Sequence, residues 1–125
     1  MISSVHIFYD LLNHGQSKKG YKNLNFKDFS FQLNNLLNFL HINKCILVGF
    51  SIGSLIAQHF AEEFYNKVNK LIIIGSVYKR TNEQINTVKN RYKKVMEGKN
   101  IENESINRWF NQEYLQKHPE VFNYF

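Results

Sequence analysis

The sequence predicts an α/β fold of about three parallel strands with flanking helices. Two observations carry that expectation. Short β-prone apolar runs alternate with stretches whose apolar residues recur at helical spacing, the pattern of βαβ units. One of the runs, residues 45–50, is almost wholly apolar, as in a strand covered on both faces. The length of 125 residues suits one domain.

The elements follow in order. Val5-His6-Ile7-Phe8-Tyr9 is the first β-prone run, ended by Asp10 and a His14-Gly15 turn, with a loop over residues 15–25. Phe29, Leu33, Leu36, Leu37 and Leu40 then share one helical face, and Asp28 favours the positive end of that helix. Residues 45–50 form the second strand. A helix follows at once, with Ile52, Leu55, Ile56, Phe60 and Phe64 as its buried stripe and an end near Tyr65-Asn66. Leu71-Ile72-Ile73-Ile74 is the third strand, stopped by Gly75. Thr81 with Gln84 has the form of a capping box, in which each residue satisfies an orphan N–H near the other. Ile85, Val88, Tyr92 and Val95 continue that helix to a stop at Gly98. Ile106, Trp109, Phe110 and Tyr114 mark a short helix, and Pro119 suits the first position of a last one because its missing N–H costs nothing there.

Composition excludes several classes. Hydrophobic residues make up 43% and aromatics 15%, too much for a disordered or collagenous chain. The net charge of +6 is spread along the chain. Its densest patch, Lys89, Arg91, Lys93 and Lys94, is broken by Tyr92 and reads as a solvated helix face, so no nucleic-acid partner is expected. No apolar run approaches the ~20 residues of a membrane span, and no membrane partner is expected. Met1 leads directly into the first strand-like segment, without the basic and apolar regions of a signal peptide. The single cysteine, Cys45, excludes an internal disulfide and reads as a small strand hydrophobe; with the missing leader it points to the cytoplasm. The aromatic ending Val121-Phe122-Asn123-Tyr124-Phe125 points to a docked terminus or an artificial stop, and the stop is the expectation.

The chemistry lies in Gly49-Phe50-Ser51-Ile52-Gly53, a G-x-S-x-G between a buried strand and a helix. A serine on so sharp a turn sits in strained backbone that lifts its hydroxyl clear of the sheet, and small residues two positions to either side let the chain bend. The unpaired N–H groups and positive end of the following helix face a developing oxyanion. An ordinary glycine-bounded turn is the plain alternative. His59 lies eight residues beyond Ser51 on the same helix, ~12 Å along its axis, and reads as a helix-face histidine. His6, His41 and His118 stand in no motif. Neither metal-ligand spacing nor a glycine-rich phosphate loop occurs, so no metal or cofactor is expected.

On these residues the chain resembles the α/β-hydrolase family. Asp10-x-x-x-His14-Gly15-Gln16-Ser17 resembles its D-x-x-G-H-G-x-S element, and Leu47 through Gln58 resembles its L-V-G-[FH]-S-M-G-G-x-I-A-Q elbow. Asn13 and Ser54 stand where glycines are usual. The segments Asn107-Arg108-Trp109-Phe110 and His118-Pro119-Glu120-Val121 resemble the early cap of 3-oxoadipate enol-lactonase-like members. A serine at the elbow argues against the epoxide-hydrolase and haloalkane-dehalogenase branches, which use Asp there.

The resemblance implies Ser51 as nucleophile, the Ile52 backbone N–H as an oxyanion donor, and Gly49, Phe50 and Gly53 as the rest of the elbow. It implies a partial α/β-hydrolase core over residues 1–78 and the start of a helical cap over 79–125. Family members carry their catalytic acid and histidine on later strands, and half of the oxyanion hole on an earlier loop. The expectation is therefore a central fragment of a serine hydrolase of a carboxylic ester or lactone, inactive by itself and prone to self-association through exposed sheet edges. A non-catalytic remnant or partner-binding module is the alternative.

Overall fold

The computed structural model describes residues 5–123. The expectations attached to Met1 and to Tyr124-Phe125 lie outside the described residues. The chain divides into two compact units, Met1–Val77 and Tyr78–Phe125, taken separately below.

In the first unit, helix α1 spans Phe26–Phe39 and opens on a reciprocal cap. The Asn25 side chain accepts from the N–H groups of Lys27 and Asp28, and the Asp28 carboxylate accepts from the Asn25 N–H at 2.8 Å. Strand β1 (Cys45–Phe50), helix α2 (Ile52–Glu63) and strand β2 (Val68–Ile74) follow, with one 3₁₀ turn at Tyr65–Lys67 before β2. β1 and β2 pair in parallel, as a strand–helix–strand connection requires. Cys45 pairs with Val68 and Ile46 with Lys70, so Asn69 is skipped; from there the register runs evenly to Phe50 opposite Ile74. The core is Leu33 and Leu37 of α1 with Phe60 of α2, against which Tyr9, Ile42, Cys45, Leu47, Phe64 and Val68 pack. Phe60 is fully buried, and Phe64 stacks on it at 5.0 Å between ring centres.

Two strand expectations need correction. Val5–Tyr9 forms no strand: among the described residues the sheet has two strands, because no ladder is offered to this segment's backbone. Tyr9 still anchors it to the core. Nor is β1 covered on both faces. Leu47 faces the helices, but Ile46 and Val48 are 57% and 56% exposed, since α1 and α2 lie on one side only. The apolar run is a two-sided strand by composition and a one-sided strand by packing. The helix stripes are likewise narrower than the spacing suggests. Leu40 and Ile52, at opposite helix margins, are exposed, while Ser30 and Ser54 join the buried set.

The second unit is helical. α3 (Asn82–Met96) opens on the expected Thr81–Gln84 capping box and ends before Gly98, whose φ of +73° is the left-handed conformation that closes helices. Ile85, Val88, Tyr92 and Val95 are exposed and do not form a buried stripe. The single helix expected around Ile106–Tyr114 is two, α4 (Glu102–Trp109) and α5 (Gln112–Lys117), because the Asn111 side chain caps a new start by accepting from the Tyr114 N–H. Pro119 opens a 3₁₀ turn, Pro119–Asn123. Ile106, Leu115 and Val121 make the unit's core with Phe110 beside them, and Arg91 ties α3 to Ser105 of α4 at 3.0 Å.

Candidate active site

β1 delivers the chain to Ser51, and α2 leaves from it. Ser51 has φ +52° and ψ −117°, one of the conformations a side chain disfavours most. These angles mirror those of ordinary extended backbone and suit glycine. The conformation is held from several sides. The Ser51 N–H donates to the Ile74 carbonyl at 3.0 Å, continuing the β1–β2 ladder by one residue. The Ser51 carbonyl accepts both the N–H of Ser54, at 3.0 Å, and its side-chain hydroxyl. Gly49 passes so close to the first turn of α2 that a β-carbon there would lie 2.4 Å from the Gly53 carbonyl oxygen.

Ser51 itself is exposed, and its hydroxyl makes no capping hydrogen bond to α2. A serine at a helix start ordinarily turns its oxygen onto the N–H groups of the first turn. Here the strained backbone keeps the hydroxyl out of the cap, at the junction of the sheet end and the helix start. Phe50 and Ile52 flank it, 70% and 52% exposed. Across the sheet end, Gly75 (φ +63°) leaves room for the Phe50 ring, which a β-carbon would meet at 3.2 Å. Gln58 links α2 to this corner, its amide donating to the Ser54 carbonyl at 3.1 Å and to Ser76 Oγ at 3.3 Å.

The space around Gly53 is open, since a β-carbon there meets nothing within 4 Å. The close contact belongs wholly to Gly49. The unusual Ser54, by contrast, is buried and adds a bond to the turn. Asn13 has φ +65°, a conformation Asn tolerates better than other side chains, so it can stand where a glycine is usual.

The other candidate groups are engaged elsewhere. His59 Nδ1 lies 2.9 Å from Ser30 Oγ, in a bond that joins α2 to α1, and its ring packs near Phe26. That pairing was not read from the sequence. Its signal was Ser30 on the same helical face as Phe29 and Leu33, where a hydroxyl needs a polar partner. The Asp10 carboxylate accepts from the Gln16 N–H at 2.8 Å, folding the turn so that a β-carbon on Gly15 (φ +47°) would meet that carboxylate. Gln32 of α1 clamps the same turn by donating to the Asp10 carbonyl and accepting from the Leu12 N–H. His14 Nδ1 lies against the Leu12 carbonyl at 2.9 Å. His118 sits beside Glu120, and burial pushes the Cys45 thiol up, partly offset by Lys67. Among the described residues no group of three or more His, Cys, Asp or Glu could hold a metal ion, and no helix is long and apolar enough to cross a membrane.

Comparison with known proteins agrees with this geometry. A family model described as alpha/beta hydrolase fold matches residues 6–120. A (E)-2-((N-methylformamido)methylene)succinate hydrolase of Acinetobacter baylyi is 27% identical over 111 residues, 89% of this chain and 42% of that protein. An uncharacterized protein of Mycobacterium tuberculosis is 36% identical over 75 residues, 58% of this chain and 22% of its own length. An sn-1-specific diacylglycerol lipase of Danio rerio is 35% identical over 65 residues, 52% of this chain and 20% of the lipase. The chain thus spans less than half the length of the curated relatives it matches, about a fifth of two of those named here.

Proposed function

The chain belongs to the alpha/beta-hydrolase fold family, and from that premise we propose that it carries the nucleophile segment of a serine hydrolase acting on a carboxylic ester or lactone. The observation that carries this reading is the backbone of Ser51, φ +52° and ψ −117° at a strand-to-helix turn, with its hydroxyl left out of the helix cap. A protein keeps such strain where an exposed, fixed hydroxyl is useful. Ser51 Oγ attacks the acyl carbon, its proton passing to a base, and the carbonyl oxygen gathers negative charge beside the Ile52 N–H. Gly49 keeps the turn tight, and Phe50 and Gly53 complete the elbow. The hydrolase and lipase names of two relatives support hydrolysis as the reaction class. Their substrates differ too much to select one here.

The histidine base and acid are not supplied by His59 or Asp10, which are bound to Ser30 and to the turn around Gly15. In this reading they come from other parts of the family's domain, residues 79–125 begin its helical cap, and the protein works in the cytoplasm. The engagement of His59 and Asp10 also favours a second reading, a non-catalytic remnant that binds a partner, because a serine hydroxyl without a base is a weak nucleophile.

A fluorophosphonate probe separates the two. Phosphonylation confined to Ser51 and abolished by Ser51→Ala supports the hydrolase. A chain whose Ser51 stays unlabelled over hours, in the presence and absence of the remaining family domain, is a binding module instead.

A further inference from the structure

The peptide unit that would donate to the oxyanion has two ends. Its N–H is that of Ile52, and its carbonyl is that of Ser51. Both the N–H and the hydroxyl of Ser54 donate to that carbonyl. Ser54 has no exposed surface, so water does not compete for these bonds. Its own carbonyl is held in turn by Gln58, whose amide also reaches Ser76 beyond β2.

We propose that Ser54 is a positioning residue for the oxyanion site: its hydroxyl clamps and polarises the Ser51–Ile52 peptide from the carbonyl side. This rests on the serine-hydrolase reading above. Hydrogen bonds that share a peptide strengthen one another, since electron density drawn toward the carbonyl oxygen leaves the N–H more positive. A donor group stabilises an oxyanion best when its orientation is fixed before charge develops. The Ser54 hydroxyl does both, and its side-chain bond supplements a backbone bond that any residue at this position could form. The proposal assigns a role to the one position of the elbow helix where this chain carries a side chain in place of the usual glycine.

The test uses Ser54→Ala and Ser54→Gly, which remove the hydroxyl, take less space and retain the backbone donor. Two readouts are compared on the 125-residue chain in the presence of the remaining family domain, which supplies the base. The first is the amide ¹⁵N and ¹H shift of Ile52, a direct measure of hydrogen bonding at the Ser51 carbonyl. The second is the rate at which a fluorophosphonate labels Ser51: Oγ bonds to phosphorus, its proton passes to the base, fluoride leaves, and the phosphoryl oxygen lies beside the Ile52 N–H. The expected result is an upfield move of the Ile52 amide in both variants, with labelling about fivefold slower, the worth of one net hydrogen bond of ~1 kcal/mol. An unmoved Ile52 amide in folded variants overturns the clamp. A moved amide with unchanged labelling overturns its role in the reaction. Absence of labelling in the unmutated chain with the remaining family domain present defeats the hydrolase reading, and the positioning role with it; that failure is recognised without any Ser54 variant.

Discussion

A β-carbon on Gly49 would lie 2.4 Å from the carbonyl oxygen of Gly53, while one on Gly53 would meet nothing within 4 Å. The two glycines of the G-x-S-x-G therefore differ in kind. One lets the strand end pass against the helix backbone, and the other occupies an ordinary first-turn position. We predict that Gly49→Ala lowers stability by about 3 kcal/mol, since the obstructing atoms are main chain and cannot rotate away. Gly53→Ala should gain about 0.5 kcal/mol by narrowing the unfolded ensemble. Urea midpoints of both variants measure this, and equal losses would refute the asymmetry.

Strain at Ser51 has its own signature. Glycine relaxes a conformation that costs a side chain about 1–3 kcal/mol, against an entropic cost of about 0.5–1 kcal/mol for glycine itself. Ser51→Gly is expected to stabilise the chain by about 1 kcal/mol while removing the nucleophile. Ser51→Ala keeps the β-carbon, removes the nucleophile equally, and should leave stability near its starting value. Denaturation curves that fail to separate the two variants would argue that the backbone is relaxed.

Burial pushes the Tyr9 phenol from 10.0 up to about 12. The unfolded chain therefore loses this proton first. Between pH 10 and 12 the folded state holds more protons than the unfolded one, so stability falls as pH rises through that window and is fully present below it. Tyr9→Phe should flatten this part of the stability–pH curve. Parallel curves for the two proteins between pH 9 and 11.5 would count against the burial of the hydroxyl.

The outer face of the sheet carries Ile46, Val48, Ile72 and Ile74, all substantially exposed, on strands whose outer edges pair with no other strand among the described residues. Exposed strand edges and apolar patches favour association. We predict that the 125-residue chain alone sediments as oligomers at micromolar concentration. Replacing Val48 and Ile72 with threonine should shift it toward monomer. A single monomeric boundary for the unaltered chain would remove the prediction.

Elements whose signal is local were legible in the sequence. The Thr81–Gln84 cap, the Gly98 stop and the strand–turn–helix around Ser51 depend on neighbours within a few residues, and each formed. What failed depends on distant partners. A run such as Val5–Tyr9 states a preference for strand but cannot supply the ladder it needs. The face that Ile46 and Val48 present was misjudged for the same reason, because composition does not say how many layers lie against a sheet. Within the candidate site, the motif named Ser51 and its neighbours, while the Gln58–Ser76 and Ser30–His59 pairs form only when separate segments come together.

The register of the sheet has one more consequence. Phe50 pairs with Ile74, and the next amide, that of Ser51, donates to the Ile74 carbonyl. The last rung of the ladder is thus also the first bond of the turn. In a hydrogen-exchange experiment the Ser51 amide proton becomes a reporter for both. Its protection should follow the detachment of β2 rather than the fraying of α2. A single slow proton would then reveal, in a protein of any length that contains this segment, whether the serine is still held in place.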